Sequence, residues 1–365
     1  MRIRWVLLLC AIFAVCAAPA AAQTDFWTCP TSFAGQKLHV YNWTTYIAED
    51  TISNFERLCN VTVTYDTYAA DTDMIAELEQ GNTPGYDVVV PTDVNVTTMT
   101  SENLLQPLDL NSIPDFANID PSLANPNYDP NNTYTVPYQW GTIGVGYNRT
   151  KVGKDITSWN DVFNYNGPVA WIDYPRQMLG IALNLLGKDP NSSNQADIDA
   201  ASQFLLAHKA NVYTIAPDTG QDILAAKQVD IAIEYSGDIF HMIRDCQCSD
   251  FAYTIPNEGS IIWVDNMAIP KGAPNPKLAN VFIDYVLNEM VGADISNFTA
   301  YATPNKTAIA DGLIESQYLN NTGIYPSDAI RAKLFPNKAD PKLDKLYSDA
   351  WDKIKAAVGK GTSGL

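Results

Sequence analysis

The order of elements between residues 38 and 65 restricts the fold more than any other part of the chain. Residues 38–46 begin as an apolar strand and end in aromatic and hydroxyl side chains. Apolar side chains then recur at helical spacing behind Asp50, a candidate N-cap, and residues 61–65 alternate as a strand does. Strand, loop, helix and strand form a βαβ unit, the building block of α/β folds.

The loop after the first strand is the first candidate for a binding site. In open α/β sheets, ligands lie outside the carboxyl ends of the strands. We therefore predict that a small molecule is held by Trp43, Thr44, Thr45 and Tyr46. A second candidate loop begins at Thr92, directly after a short apolar strand that Pro91 ends.

Strands and helices alternate over the rest of the chain, which predicts an α/β fold throughout. Further strands are expected over residues 87–91, 141–147, 167–174, 229–233 and 260–270. Further helices are expected over residues 74–80, 175–186, 200–208, 239–244, 278–288 and 347–357. Residues 104–132 are rich in Pro, Asn and Asp and predict irregular surface, and residues 359–365 predict a loose tail.

Residues 1–22 are typical of a secretory signal peptide, with a buried N-terminal helix as the alternative. Arg2 and Arg4 precede an apolar segment, and three alanines stand before Gln23. No later run of about 20 apolar residues could span a bilayer, so we expect export without membrane insertion. The net charge of −18 becomes −20 without this segment, which holds two arginines and no acid. Such a surface attracts cations and repels nucleic acid.

Four cysteines follow the signal segment, at Cys29, Cys59, Cys246 and Cys248. In an oxidising compartment they could pair in three ways. Cys29 with Cys59 is the easiest pair, because a bridge between Cys246 and Cys248 would enclose one residue and be strained. Asn-X-Ser/Thr sequons would accept glycans in a eukaryotic host and carry no meaning in a bacterium.

Motifs for catalysis and for cofactors are missing from the sequence. Its three histidines, His39, His208 and His241, are not at ligand spacing, and neither Gly-X-Ser-X-Gly nor His-Glu-X-X-His occurs. The glycines of residues 141–147 have the spacing of a strand rather than of a dinucleotide loop. The cysteines lack the second close pair that a zinc site uses. We therefore expect no enzyme, no metal and no cofactor.

Aromatic and acidic side chains near the predicted strand ends favour recognition of a cation. They are Trp43, Tyr46, Tyr235, Trp263, Tyr301, Asp238 and Asp265. An aromatic face attracts a desolvated ammonium group by about 2 kcal/mol, and a hydrogen bond to a charged group contributes roughly 1.5–3 kcal/mol. Alternatively, the aromatic residues belong to the core and the two acids cap helices.

Four stretches resemble the signature of the periplasmic polyamine-binding proteins of ABC importers. They are VYNWTTY at residues 40–46, YDVVVP at 86–91, PYQWG at 137–141 and WVDNMAIP at 263–270. Residues 323–335 and the last helix resemble the putrescine-binding branch most closely. The resemblance implies a two-lobed periplasmic binding protein fold of type II, with the ligand cleft between the lobes. It places residues 37–142 and 265–308 in the N-terminal lobe, and residues 143–264 and 309–358 in the C-terminal lobe.

The resemblance also implies roles for single residues. Trp43, Tyr46, Tyr235, Trp263 and Tyr301 match the family's aromatic box, Thr44 and Thr92 its hydroxyl contacts, and Asp238 and Asp265 its amine-binding acids. The family usually has acids where Thr45 and Gln177 stand, so the attraction for a second ammonium is weaker here. We expect Arg176, beside Gln177, to add repulsion, while Gln177 still offers hydrogen bonds.

The sequence thus predicts a periplasmic solute-binding protein, monomeric and without catalytic activity. It would capture putrescine or a related polyamine and deliver it to the membrane permease of an ABC importer. One alternative is a cleft that Thr45 and Gln177 have retuned to a monoamine, an amino-sugar or another polar solute. Another is a secreted enzyme or structural protein on the same fold.

Overall fold

Strands and helices alternate along the described chain, as the sequence predicts. The computed structural model describes residues 26–30, 32–217 and 219–359. The strands are β1 (Lys37–Trp43), β2 (Thr62–Tyr68), β3 (Val88–Val89), β4 (Leu105–Gln106), β5 (Thr135–Asn148), β6 (Val169–Ile172), β7 (Val212–Ala216), β8 (Ile231–Tyr235), β9 (Phe251–Thr254) and β10 (Ile262–Pro270). The α/β class is confirmed.

Helices of very different length connect these strands. They are α1 (Thr51–Cys59), α2 (Asp71–Glu79), α3 (Asp93–Ser101), α4 (Arg149–Val152), α5 (Trp159–Phe163), α6 (Pro175–Leu185), α7 (Gln195–Ala207), α8 (Gly220–Ala225), α9 (Ser236–Cys246), α10 (Pro276–Leu287), α11 (Glu289–Thr299), α12 (Lys306–Ala310), α13 (Ser316–Leu319), α14 (Asp328–Arg331) and α15 (Pro341–Gly359). Three short 3-10 helices lie within the segment predicted to be irregular.

Strand β5 joins two parts of the sheet and is buried along its whole length. Its residues 135–142 pair antiparallel with β10. Its residues 143–148 pair antiparallel with β8 and β9 instead. We call β1, β2, β3, β4, β10 and residues 135–142 the first half-sheet, and β6, β7, β8, β9 and residues 143–148 the second half-sheet. The strand order is β2-β1-β3-β10-β5-β8-β6-β7, with β4 beside β10 and β9 beside β5.

The first half-sheet has its own aromatic core. Phe55 of α1 is fully buried, and its ring centroid lies 5.0 Å from that of Phe282 and 5.3 Å from that of Tyr285, both on α10. Burying a side chain of this size contributes roughly 1.5–3 kcal/mol. The predicted disulfide between Cys29 and Cys59 is present and ties the N-terminal segment to the end of α1.

The second half-sheet packs against α6, α7 and α15. Trp171 of β6 and Trp351 of α15 are both buried, with ring centroids 6.4 Å apart. Trp351 also donates a hydrogen bond of 2.6 Å from Nε1 to Asp173, just beyond β6. Because each half-sheet packs around separate buried side chains, each has its own core, and β5 contributes side chains to both.

Several other predictions can be compared with the structure. Cys246 and Cys248 are also bridged, although the sequence favoured only the bridge between Cys29 and Cys59. Asp50 precedes α1, but its side chain makes no capping hydrogen bond. The predicted signal peptide and residues 360–365 of the predicted tail lie outside the described residues, while Gly359 ends α15. Within the described ranges, no helix combines the length and apolar character needed to cross a membrane.

Candidate functional site

Parallel pairing brings the candidate loops to common edges of the two half-sheets. β1 is parallel to β3, so the loop after Trp43 and the turn at Thr92 leave the first half-sheet at the same edge. β6 is parallel to β8, which places Tyr174 and Tyr235 at a common edge of the second half-sheet. The carboxyl ends of these strands are where an α/β sheet holds its ligand.

A row of edge-on aromatic rings connects the two edges. Successive ring centroids lie 6.0, 5.9, 5.0, 5.6 and 5.4 Å apart, and the planes cross at 74–83°. In order, the rings are Tyr174, Tyr235, Trp263, Tyr301, Tyr46 and Tyr138. Four of the five aromatic residues predicted for the site therefore lie side by side, although Tyr46 and Tyr301 are buried in this structure.

Two glycines make room for this row. A Cβ atom at Gly237, in the first turn of α9, would overlap the ring of Tyr301. A Cβ atom at Gly141 on β5 would overlap the ring of Trp263 in the same way. Both positions therefore require a residue without a side chain, because the rings pack directly on the backbone.

Asp238 contacts the aromatic row from the second half-sheet. It lies in the first turn of α9, and its Oδ2 accepts a hydrogen bond of 2.7 Å from the hydroxyl of Tyr301. Tyr301 belongs to the core of the first half-sheet, next to Ala302, which pairs with Trp140. Asp238 also borders a surface cavity of about 290 Å³. Asp238 therefore lies between the aromatic row and this cavity.

Asp265 contacts the row from the first half-sheet. The pairing of β10 with β5 shifts register between Asp265 and Asn266, a bulge that changes the direction of a side chain. Asp265 is buried, and its Oδ1 has no hydrogen-bond partner in the described chain. Burial, followed by the charge of Asp71, raises the pKa of Asp265 well above its ordinary value. A buried acceptor of this kind favours a cationic or hydrogen-bonding ligand.

Tyr46 lies within electrostatic range of both acids. Burial raises the pKa of Tyr46 most, and the charge of Asp265 and, more weakly, that of Asp238 raise it further. The Tyr46 hydroxyl is itself buried without a hydrogen-bond partner among the described residues. Asp265 lies within a strand, so the alternative that both acids cap helices is wrong for this residue. The acids from the two half-sheets approach one tyrosine.

The remaining predicted residues lie around this centre. Trp43 is half-buried, donates from Nε1 to the carbonyl of Val90 at 2.9 Å, and packs on Tyr68 with a centroid distance of 4.7 Å. Thr44 and Thr45 are exposed at the end of β1, and Thr45 has a φ of 57°. That left-handed backbone conformation is rare for a β-branched residue.

Helix α6 places the neighbouring residues Arg176 and Gln177 in different surroundings. Gln177 is half-buried in the first turn of this helix. Arg176 is buried and donates 2.7 Å hydrogen bonds to Asp344 and to Asn191. The expectation that Arg176 repels a bound amine is therefore wrong, because its charge is neutralised within the second core.

Two further acids lie beside Thr92, namely Asp93, which belongs to the second candidate loop, and Asp71, which the sequence did not indicate. Asp71 begins α2, and its Oδ2 accepts hydrogen bonds from the Thr92 hydroxyl at 2.7 Å and from Asn95 Nδ2 at 2.8 Å. Asp93 begins α3 and is buried. The position of Asp93 in the second candidate loop was a usable signal, whereas nothing near Asp71 indicated a site.

A family model for bacterial extracellular solute-binding proteins matches residues 50–322. The chain belongs to this family. The solute-binding protein is 34% identical over 348 residues to the putrescine-binding periplasmic protein PotF of Escherichia coli, covering 89% of this chain and 93% of PotF. It is 32% identical to the putrescine-binding periplasmic protein SpuD of Pseudomonas aeruginosa, covering 87% of this chain and 92% of SpuD.

Solved structures support the same two-lobed fold for the solute-binding protein. The spermidine/putrescine ABC transporter substrate-binding protein PotD of Streptococcus pneumoniae aligns with a TM-score of 0.82 at 30% identity, covering 89% of this chain and all of PotD. A putative spermidine/putrescine ABC transporter from Listeria monocytogenes aligns with a TM-score of 0.78 at 31% identity, covering 88% of this chain and 99% of that one. These relatives are bacterial, so the glycan interpretation of the sequons has no support.

Proposed function

We propose that the solute-binding protein captures putrescine or a related polyamine for ABC-type import. The observation that carries this proposal is the approach of Asp238 and Asp265, from different half-sheets, to one row of aromatic rings. Relatives named for putrescine or spermidine binding, which match nearly the full chain, support the same ligand class.

The proposed ligand suits the chemistry of these side chains. Trp263, Tyr301 and Tyr46 would pack along an alkyl chain and attract its ammonium groups by cation–π interaction. Asp238 and Asp265 would accept charge-assisted hydrogen bonds from those groups. Tyr46 and Asp265 each hold a buried polar atom without a partner in the described chain, and a ligand nitrogen would satisfy such atoms.

Closure of the two lobes on the ligand follows from this arrangement. We place the lobe boundaries near Thr142, Asp265 and Ala308, and the change of partners of β5 after Thr142 supports the first of them. Only a closed form lets acids from both half-sheets contact one ligand, so ligand binding would shift the population towards closure. The Tyr301–Asp238 hydrogen bond would rearrange to admit an ammonium group.

The wider role proposed for the protein is delivery rather than chemistry. The named relatives are periplasmic binding proteins rather than enzymes. We accordingly propose a periplasmic monomer without catalytic activity, which hands its ligand to the membrane permease of an ABC importer. A second candidate is binding of a monoamine or another polar solute, because Thr45 and Gln177 carry no charge at positions where the resemblance leads one to expect acids.

Calorimetric titration of the wild-type protein with four matched compounds tests the proposal. These are 1,4-diaminobutane, spermidine, 1-aminobutane and 1,4-butanediol. We expect measurable binding of the two polyamines and no binding of the diol. The monoamine should bind at least roughly tenfold more weakly, since a lost charged hydrogen bond is worth about 1.4 kcal/mol or more. Preference for the monoamine would favour the second candidate. Absence of binding by every amine would contradict both.

A further inference from the structure

Three carboxylates from three different elements converge beside Thr92. Asp71 begins α2, Asp93 begins α3, and Asp265 lies at the bulge of β10. Thr92 connects them, because its hydroxyl donates to Asp71, its backbone pairs with that of Asp265, and Asp93 follows it in the chain. Two of these three acids, Asp93 and Asp265, are buried.

The three acids have no cation to balance them. No Lys, Arg or His of the described residues forms an ion pair with Asp71, Asp93 or Asp265. The charges that act on Asp265 are those of Asp71 and Asp93, and both raise its pKa in addition to burial. Buried carboxylates normally have an opposite charge nearby, so a protonated ligand nitrogen is the missing partner that the chemistry of the cluster favours.

Hydrogen bonding within the cluster is also incomplete. Asp71 accepts from the Thr92 hydroxyl and from Asn95, and Asp93 Oδ1 accepts from the backbone of Val94 at 2.8 Å. Asp265 Oδ1, in contrast, is buried without a hydrogen-bond partner in the described chain. The Tyr46 hydroxyl lies near this carboxylate and lowers its pKa, but it does not reach hydrogen-bonding geometry with Oδ1, so one acceptor within the acidic cluster is left for a ligand donor.

We infer that Asp71 and Asp93 act together with Asp265 as the acids that select for a second positive charge on the ligand. In this arrangement Asp265 accepts the hydrogen bond from one protonated nitrogen, and Asp71 and Asp93 supply further negative potential around it. Asp238 holds the other nitrogen, across the aromatic row. The inference rests on the proposed amine-binding function and specifies a dication rather than a monoamine as the ligand. Asp71 and Asp93 would supply the negative charge that Thr45 and Gln177 do not.

Protons occupy part of this cluster when no cation is bound. Burial raises the pKa of Asp71 to about 6 and that of Asp93 to about 7. The other titratable groups facing the cluster are Tyr46, Tyr68 and Tyr128, whose pKa values burial raises further above the neutral range. A bound ammonium favours ionised carboxylates, so binding near neutral pH releases protons from the acids and none from the tyrosines.

Isosteric amide variants separate this role from ordinary structural contacts. Asp71→Asn and Asp93→Asn remove charge with little change of shape, and Asp73→Asn removes the same charge from an exposed position on α2. Calorimetry with 1,4-diaminobutane and with 1-aminobutane at about pH 6.5, in two buffers of different ionisation enthalpy, measures affinity and proton release together. Thermal unfolding of each variant checks that it is folded.

The expected results differ between the three variants. Asp71→Asn and Asp93→Asn should each weaken diamine binding roughly tenfold or more, about the worth of one lost charge interaction, and should affect monoamine binding less. Asp73→Asn should stay within about twofold of wild type, since exposed charges contribute little. Wild type should release protons on binding, and Asp93→Asn should release fewer.

The results distinguish failure of the proposed function from failure of the inference about Asp71 and Asp93. If wild type binds no amine, the proposed function itself fails. If wild type binds the diamine while both amide variants keep its affinity and proton release is absent, only the present inference fails. Should one amide variant not fold, the other decides, because an unchanged ratio of diamine to monoamine affinity in the folded variant overturns the role of Asp71 and Asp93.

Discussion

The hydroxyl of Tyr301 donates a 2.7 Å hydrogen bond to Asp238, which links the core of the first half-sheet to helix α9 at the candidate site. The ring of Tyr301 packs on the backbone of Gly237, one residue before its acceptor. A ligand ammonium would compete with this hydroxyl for the same carboxylate. We therefore expect this contact to couple occupation of the site to the arrangement of the two lobes.

Removing the Tyr301 hydroxyl should make the ligand-free protein less compact. Tyr301→Phe keeps the ring and its packing but loses a hydrogen bond to a charged group, worth roughly 1.5–3 kcal/mol. We expect a larger radius of gyration in small-angle scattering for the ligand-free variant, and a return to the wild-type value when 1,4-diaminobutane is added. Tyr213→Phe, at an exposed tyrosine, is the matched control and should change neither value.

A methyl group at Gly237 should displace Tyr301 and weaken binding. The added Cβ overlaps the tyrosine ring, so the ring must move away from Asp238 and from Trp263. We expect Gly237→Ala to lower diamine affinity at least tenfold and to reduce the free energy of unfolding by about 1–3 kcal/mol, as overpacking does. Gly292→Ala in α11 is the control, because its Cβ meets only ordinary contacts at 3.5 Å or more. Equal effects of the two substitutions would contradict the packing argument.

An acid at position 45 should strengthen diamine binding. Thr45 is exposed and adopts a φ of 57°, a conformation that Asp and Asn tolerate better than Thr. Thr45→Asp should therefore relieve the backbone and add a carboxylate beside the site, tightening diamine binding by roughly two- to fivefold. Thr45→Asn relieves the backbone without charge, so affinity measured by calorimetry should rise for Asp and not for Asn.

The pH dependence of stability should report the buried acids. The pKa of Asp93 is raised to about 7 and that of Asp71 to about 6, so from roughly pH 4 to 7 the folded chain binds more protons than the unfolded chain. The free energy of unfolding should consequently increase as the pH falls through this range. Diamine affinity should decrease over the same range, because protonated carboxyl groups attract the ligand less. Asp93→Asn should flatten both trends in denaturation and in calorimetry, and unchanged slopes would contradict the assignment.

The sequence predicted the fold where the spacing of apolar residues matches the element that forms. The alternation over residues 38–65 predicted β1, α1 and β2, and the glycine-containing segment predicted the central part of β5. Helix α3 was missed because Val94, Val96 and the adjacent threonines are β-branched and favour strands. Burial of Val96 and Met99 determines the helix instead, a tertiary effect that local propensity does not contain.

The candidate site was only partly accessible for a related reason. Aromatic residues and acids at strand ends indicated Tyr46, Tyr235, Asp238 and Trp263. The sequence did not indicate Asp71, because its approach to Thr92 depends on how α2 and α3 meet after β2 and β3, two strands that β1 separates. Arg176 was expected to repel an amine, because the sequence does not reveal that Asp344 pairs with it from a helix 168 residues later.

Titration of 1,4-diaminobutane into wild type, Asp238→Asn and Asp265→Asn tests the central claim most directly. Both amides keep the shape of the side chain and remove one of the two charges that approach Tyr46. We predict binding by wild type, and a loss of affinity of roughly tenfold or more in each variant that remains folded. Wild-type affinity in either folded variant would contradict the account, since that acid would then not contact the ligand.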